Sequence, residues 1–203
     1  MRVADIRRAR VSPLLAALAC AALAACGSSP PTRFYTLDPV PPGRPAIAFA
    51  GPPIQVGQVT LPPDLDRLSI VTRAGPDRLA VSGEDRWAAP LDGMTQRVLA
   101  ADLAARLPRS QVLAPGDPAP SGGVRTVTVN VRRFDSDAAG LVTLDAGWAL
   151  LKGTPPVPVR RGHEVITVQA GATAAGPEAA AMSRALAELA DRIVRGIVTP
   201  GAR

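Results

Sequence analysis

An uncharged run of 15 residues, Val11 to Ala25, decides how much of this chain is free to fold. It follows a basic start, Arg2, Arg7, Arg8 and Arg10 against Asp5, and it ends in small residues. A helix needs about 20 apolar residues to span a bilayer, so this run is too short for a comfortable span. A basic start, a short apolar centre and a small-residue end describe a secretory signal peptide. Residues 1–25 therefore read as targeting rather than fold. Their four Arg and one Asp also supply half of the formal charge of +6, leaving +3 on the rest. A pI near 10.8 invites a nucleic-acid reading, but much of that excess belongs to the leader.

The end of the leader is specific. Leu23-Ala24-Ala25-Cys26 resembles the lipobox of bacterial lipoproteins. The resemblance implies cleavage before Cys26, with acylation of its thiol and of the new amino terminus. Cys20 is the competing site, ranked second because Ala17 stands where Leu is expected. One acyl chain binds a membrane only marginally, at about 0.8 kcal/mol per buried methylene; the family supplies three. Gly27 follows the cysteine. In Gram-negative sorting an Asp there retains the lipoprotein in the inner membrane. Its absence implies an outer-membrane anchor with the domain on the periplasmic face. Gly27 to Thr32 is a Ser/Pro tether reaching on the order of 20 Å. The expected division is a signal peptide over 1–25, lipidated cysteine and tether over 26–33, and one periplasmic domain over 34–203. Beyond the leader Cys26 is the only cysteine, so neither a disulfide nor a thiolate metal site is expected.

Hydrophobic periodicity sets out the domain. Phe34 to Leu37 is a short β-prone run. Val40 to Pro53 is a Pro/Gly-rich loop. Ile54 to Leu61 is a strand with a bulge at Gly57. Leu68 to Thr72 and Arg78 to Val81 form a hairpin about Gly75-Pro76-Asp77, and Asp85 to Leu91 leads into a helix. That helix runs from Asp92, as N-cap, to Leu107, closed by Pro108. Its apolar residues fall in two groups. Leu91, Met94, Val98 and Ala101 share one side; Leu99, Leu103 and Leu107 share another. A surface helix shows one stripe, so the second lies under a loop or meets another subunit. Val127, Val129 and Val131 alternate with polar residues, as do Leu144, Ala146, Trp148 and Leu150 with their neighbours. These two strands pair antiparallel across a turn at Asp135 to Gly140, and Glu164 to Ala170 returns as a third. The last helix follows Gly176-Pro177, with Met182, Leu186, Leu189, Ile193 and Ile197 in one stripe. The sum is an α+β fold: a two-layer sandwich of a mostly antiparallel sheet with two main helices on one face.

The chemistry of catalysis is missing from the sequence. His163 is the only histidine and sits in Arg160-Arg161-Gly162-His163, read as a polar turn; a catalytic triad needs more. One His and no free Cys leave too little for a zinc site. No nucleophile elbow, Walker A or dinucleotide fingerprint occurs. The paired carboxylates Asp64/Asp66 and Asp135/Asp137 lie in turn-like segments, where Asp is expected on turn chemistry alone. The basic pairs Arg132-Arg133 and Arg160-Arg161 read as solvated strand ends, with no aromatic cluster to stack bases. The expectation is no enzyme, no nucleic-acid partner and no cofactor beyond the covalent lipid on Cys26.

Several stretches, in order, resemble the PqiC/YmbA-type lipoproteins, the ABC-type transport auxiliary lipoproteins. They are FYTLDP (34–39), IQVGQVTLPPDLDRLSIVTR (54–73), DRWAAPL (85–91), RVLAADLAARLP (97–108), VTVNVRRFD (127–135), VTLDAGWAL (142–150) and AAMSRALAELADRIV (180–194). Ala89 stands where the family usually has Glu. The resemblance implies an auxiliary subunit of an MCE-type lipid transport system. Its partners would be an MCE-domain protein and an inner-membrane permease, and its cargo phospholipid. It would dock the MCE conduit at the outer membrane, as a ring of subunits where it self-associates. The motif residues singled out are Asp66, Arg67, Arg73, Arg86, Trp87 and Pro90. Leu65-Asp66-Arg67 with Arg73 suggest an ion-paired loop, against plain turn fixing. Trp87 is the first to test, against plain packing at the helix entrance. Two other readings stay open: a lipoprotein that scaffolds or regulates another envelope machine, such as a peptidoglycan synthase, and direct lipid carriage, which needs an apolar cavity.

Overall fold

A computed structural model describes residues 30–108 and 112–198. The expected signal peptide, Cys26 and the first half of the expected tether, residues 27–29, lie outside the described residues. From residue 32 onward the chain is one folding unit. Its elements are β1 (Arg33–Tyr35), β2 (Ile54–Thr60), a 3-10 turn (Pro63–Leu65), β3 (Ser69–Gly75) and β4 (Arg78–Trp87). Then come α1 (Leu91–Arg106), β5 (Val112–Leu113), β6 (Arg125–Asp137), β7 (Leu141–Lys152), β8 (Val157–Gln169) and α2 (Ala175–Val198).

The architecture is α+β, an eight-stranded mixed sheet with two helices. The long ladders, β6 with β7 and β7 with β8, are antiparallel, as is the β3–β4 hairpin. Strand β6 is the hub. Along one edge it pairs with β7. Its other edge is shared by β2 at one end and β3 at the other, both parallel to it. The sheet forks there. One arm continues from β2 to β5, and the other from β3 to β4 and β1.

Side-chain alternation explains which face is buried. Val142, Leu144, Ala146, Trp148 and Leu150 of β7 are buried on one face beside Val127, Val129 and Val131 of β6. A register shift between Val131 and Arg133 turns the strand, so that Phe134 takes over the inward role. Strand periodicity of two makes this the expected effect of one extra residue. The α2 stripe, Met182, Leu186, Leu189, Ile193 and Ile197, is buried, and α2 packs on β7 and β8. Helix α1 packs on β2 and on α2. The bulge at Gly57 is present, and the Gln96 amide of α1 donates to the carbonyls of Val56 and Gly57 at 3.0 Å each.

Several expectations need correction. Asp92 does not cap α1: the helix begins at Leu91, Pro90 holds the cap position, and no side chain caps it. Asp92 instead lies in the first turn, where a carboxylate favours the helix dipole. Both α1 stripes are buried within this chain, with Leu99 and Leu103 fully so and Leu107 nearly so, while Ala101 is exposed. The second stripe therefore needs no second subunit. Residues 85–87 belong to β4 rather than to a lead-in. Arg160, Arg161 and His163 lie within β8, not in a turn, and Arg132 and Arg133 lie inside β6 rather than at its end. They look loop-like because their side chains are largely solvent-exposed and no apolar alternation marks them. Asp135 is also in β6, not in a turn, and is buried. Asp137 does hold the turn to β7: its carboxylate accepts from the backbone N–H of Ala139 and of Leu141, each at 2.9 Å, and Gly140 supplies φ +75°.

Candidate functional site

The candidate docking surface lies where β2, the β3–β4 hairpin and the start of α1 meet. Pro62-Pro63 cannot continue a ladder, so the chain closes into the 3-10 turn. Leu65 is buried, and the backbone closes through Leu65 N–H to Pro62 O at 3.0 Å and Arg67 N–H to Leu65 O at 2.8 Å. Burying Leu65 sends the next three side chains out: Asp66, Arg67 and Leu68 are all exposed.

Trp87 ends β4 and is 3% exposed. Its backbone N–H donates to Leu68 O at 2.6 Å, and the N–H of Ala88 donates to Tyr35 O at 2.8 Å. One strand end thus ties the LDR turn to β1. The tryptophan is a packing residue of the core, and its neighbours Arg86, Ala88 and Pro90 are the exposed ones. Ala89 is half-buried against the core, a place where a carboxylate would lose water. Arg86 sits in register between Phe34 of β1 and Ser69 of β3. Phe34 is 65% exposed. Arg33 on the same strand donates to Asp85 at 2.7 Å and also meets Glu84 at 3.3 Å. That arginine, then burial and the Ser82 hydroxyl, set the Asp85 carboxyl, whose pKa is held below the usual range.

The expected ion-paired loop is not formed. Arg73 turns away from Asp66 and Arg67 and donates to the buried Asp135 at 3.0 Å, which also accepts from Arg133 at 2.8 Å. Arg73 is therefore structural: two guanidiniums neutralise one buried carboxylate. Asp66 and Arg67 make no side-chain hydrogen bond or ion pair to the described residues. Of the six motif residues, the structure gathers Asp66, Arg67, Arg86 and Pro90 on the surface. It assigns Arg73 and Trp87 to holding the frame.

Sequence reasoning missed two constellations. One is the buried contact among Asp102, Arg106 and Asp191, which joins α1, α2 and the loop at Val40. The Asp102 carboxylate accepts from the Val40 N–H at 2.9 Å and from Arg106 at 3.3 Å, while its second oxygen has no partner. Burial, partly offset by the Val40 N–H and Arg106, pushes this carboxyl up to about 6. Its i, i+4 spacing to Arg106 was the available signal. The other is a group on the outward sheet face, which only strand pairing assembles. A third feature is an apolar groove of about 430 Å³ between α1 and β5, lined by Ala100, Ala104 and Val112. It lies at the surface. Among the described residues no three His, Cys, Asp or Glu side chains are placed to hold a metal ion, and no helix is long and apolar enough to cross a membrane.

Comparison with known proteins places this arrangement. Two crystal structures share the fold. One, of an uncharacterized protein, aligns with TM-score 0.68 at 20% identity over 82% of this chain and 99% of that one. The other, a Xanthomonas campestris protein of the family DUF330, aligns with TM-score 0.61 at 20% identity over 80% of this chain and 92% of that one. No curated protein matches in sequence. The model of the ABC-type transport auxiliary lipoprotein component family matches residues 35–194, from the last residue of β1 to the last turns of α2. With nearly all of the described fold inside that span, the chain belongs to the ABC-type transport auxiliary lipoprotein component family.

Proposed function

We propose that this protein is the non-enzymatic, lipid-anchored auxiliary subunit of an MCE-type lipid transport system. It docks the MCE conduit at the outer membrane, from the periplasmic side. The observation that carries the reading is the family match across residues 35–194. The exposure of the LDR turn, Arg86 and Phe34, on a frame built by Leu65, Arg73 and Trp87, supports it. Exposed arginines beside an exposed aromatic ring are residue types enriched at protein interfaces. Cys26 carries the acyl chains, and three chains anchor where one would not.

Co-purification of the lipidated protein with the MCE-domain protein and its permease, from the cell that makes all three, tests the reading. Recovery of both partners is expected, together with a Cys26→Ala variant that leaves the membrane fraction. Capture of a cell-wall enzyme with no MCE protein would reverse it.

A further inference from the structure

The outward face of the sheet carries a trough of about 540 Å³ that no helix of the described chain covers. Gly147 of β7 lies in it, lowering the surface between larger neighbours. Two guanidiniums, Arg132 of β6 and Arg161 of β8, line it together with His163. The pairing registers bring them together: Asn130 and His163 both lie opposite Gly147, and Thr128 and Arg161 both lie opposite Ala149.

Charge in the trough is unbalanced. Among the described residues Asp145 is the carboxylate that meets its cationic groups. It meets His163 Nε2 at 2.7 Å and stands 3.7 Å from Arg132, an arrangement that orients both groups without neutralising the set. Arg161 has no carboxylate partner among the described residues. The remaining polar lining is amide and hydroxyl: Gln58, Asn130 and Thr128. Guanidiniums beside neutral donors form a phosphate-recognising set, because the planar fork matches two phosphate oxygens. Apolar residues flank it. Val165, in register with Asp145, is 54% exposed at one end, and Ala149, in register with Arg161, lies at the other, with Gly147 and His163 between them. An amphiphile with an anionic head and an apolar body fits both.

We propose that this trough binds the phosphate of a phospholipid headgroup, with Arg132 and Arg161 as the binding residues and Asp145 positioning Arg132 and His163. The choice of a lipid over a soluble anion rests on the lipid-transport reading; the anion chemistry does not. The site is distinct from the LDR–Arg86 surface, which is reserved for protein.

The test uses the full lipidated chain in phosphate-free detergent solution. It is titrated with dihexanoyl-phosphatidylglycerol below its micelle concentration and, separately, with inorganic phosphate, binding being read by calorimetry. The expected result is saturable lipid binding, at least tenfold tighter than phosphate, and weakened roughly tenfold by each of Arg132→Gln and Arg161→Gln. Both side chains are exposed, so an unchanged melting curve separates lost binding from lost fold. Equal affinity in the double variant would overturn the proposal, as would phosphate binding as well as the lipid. So would a lipid-insensitive dimer that the double variant dissolves, since a second copy would then own the face. Co-purification of the double variant with the transporter is scored in parallel. Lost lipid binding with retained partners is expected of the double variant. A wild-type protein that keeps its partners and binds no lipid sinks this inference alone. One that binds lipid with no transporter partner sinks the functional reading alone.

Discussion

Trp148 lies between two glycines. A Cβ on Gly162 would stand 2.5 Å from its indole nitrogen, and one on Gly196 would stand 2.7 Å from its six-membered ring. The indole N–H is buried without a partner, so shape rather than hydrogen bonding fixes the ring. Gly196 lies inside α2, where Ala would normally add about 1 kcal/mol of helix propensity. Here Gly196→Ala is expected to cost about 1–3 kcal/mol through overpacking. In a Trp148→Leu background that penalty should vanish; an equal penalty in both backgrounds, measured by urea unfolding, would refute the contact. Asp102 supplies the second residue-scale prediction. Its carboxyl is raised from 3.8 to about 6 in the fold, chiefly by burial, so the folded state holds the proton more tightly than the unfolded chain. That contribution is complete below about pH 4 and is lost as pH rises through about 6. Asp102→Asn keeps an acceptor for the Val40 N–H and should flatten the pH dependence between 4 and 7. It should also be less destabilising at pH 8 than at pH 4. Melting curves across that range decide it. The Trp148 contact was not legible in the chain, because Gly162 and Gly196 look like any other glycines until β8 and α2 close on Trp148, whereas Asp102 left only its i, i+4 spacing to Arg106 as a signal.

At the scale of elements, α1 separates what periodicity can report from what it cannot. Its two apolar stripes were readable, and so was the puzzle they posed. The answer required knowing that β2 and α2 cover both sides of one helix. Leu103→Ala is therefore expected to cost about 2–5 kcal/mol. The loss should be independent of protein concentration, because the side chain is buried within one chain. A concentration-dependent loss would place the stripe in a subunit contact instead. Strand β8 shows the opposite difficulty. Its second half was visible through Val165, Ile166 and Val168. Its first half was hidden by Pro158 and by Arg160 beside Arg161, where a register shift between Leu150 and Leu151 interrupts the ladder. An edge strand tolerates Pro and charge on its open side, and both guard against stray pairing. The same residues imitate a loop in sequence.

The whole molecule sorts its motif residues by burial. Reversing Arg67 and Arg86 to Glu should leave the melting temperature unchanged within about 2 °C, since both are solvent-exposed. It should reduce recovery of the transport partner about tenfold or more, as expected for like-charge juxtaposition at an interface. Full recovery with both reversals would remove this surface from docking. By contrast Trp87→Ala should act through stability, costing about 3–5 kcal/mol. The sequence by itself determined the α+β class, both helices, the β6–β7 pair and the family. Each of these rests on local periodicity or on ordered strings, which survive without three-dimensional context. Tertiary structure alone decided the forked sheet, the diversion of Arg73 to Asp135, the buried Asp102 and the cationic trough. Each joins residues tens of positions apart, such as Gln58, Asn130 and His163, and only strand register brings such residues onto one face.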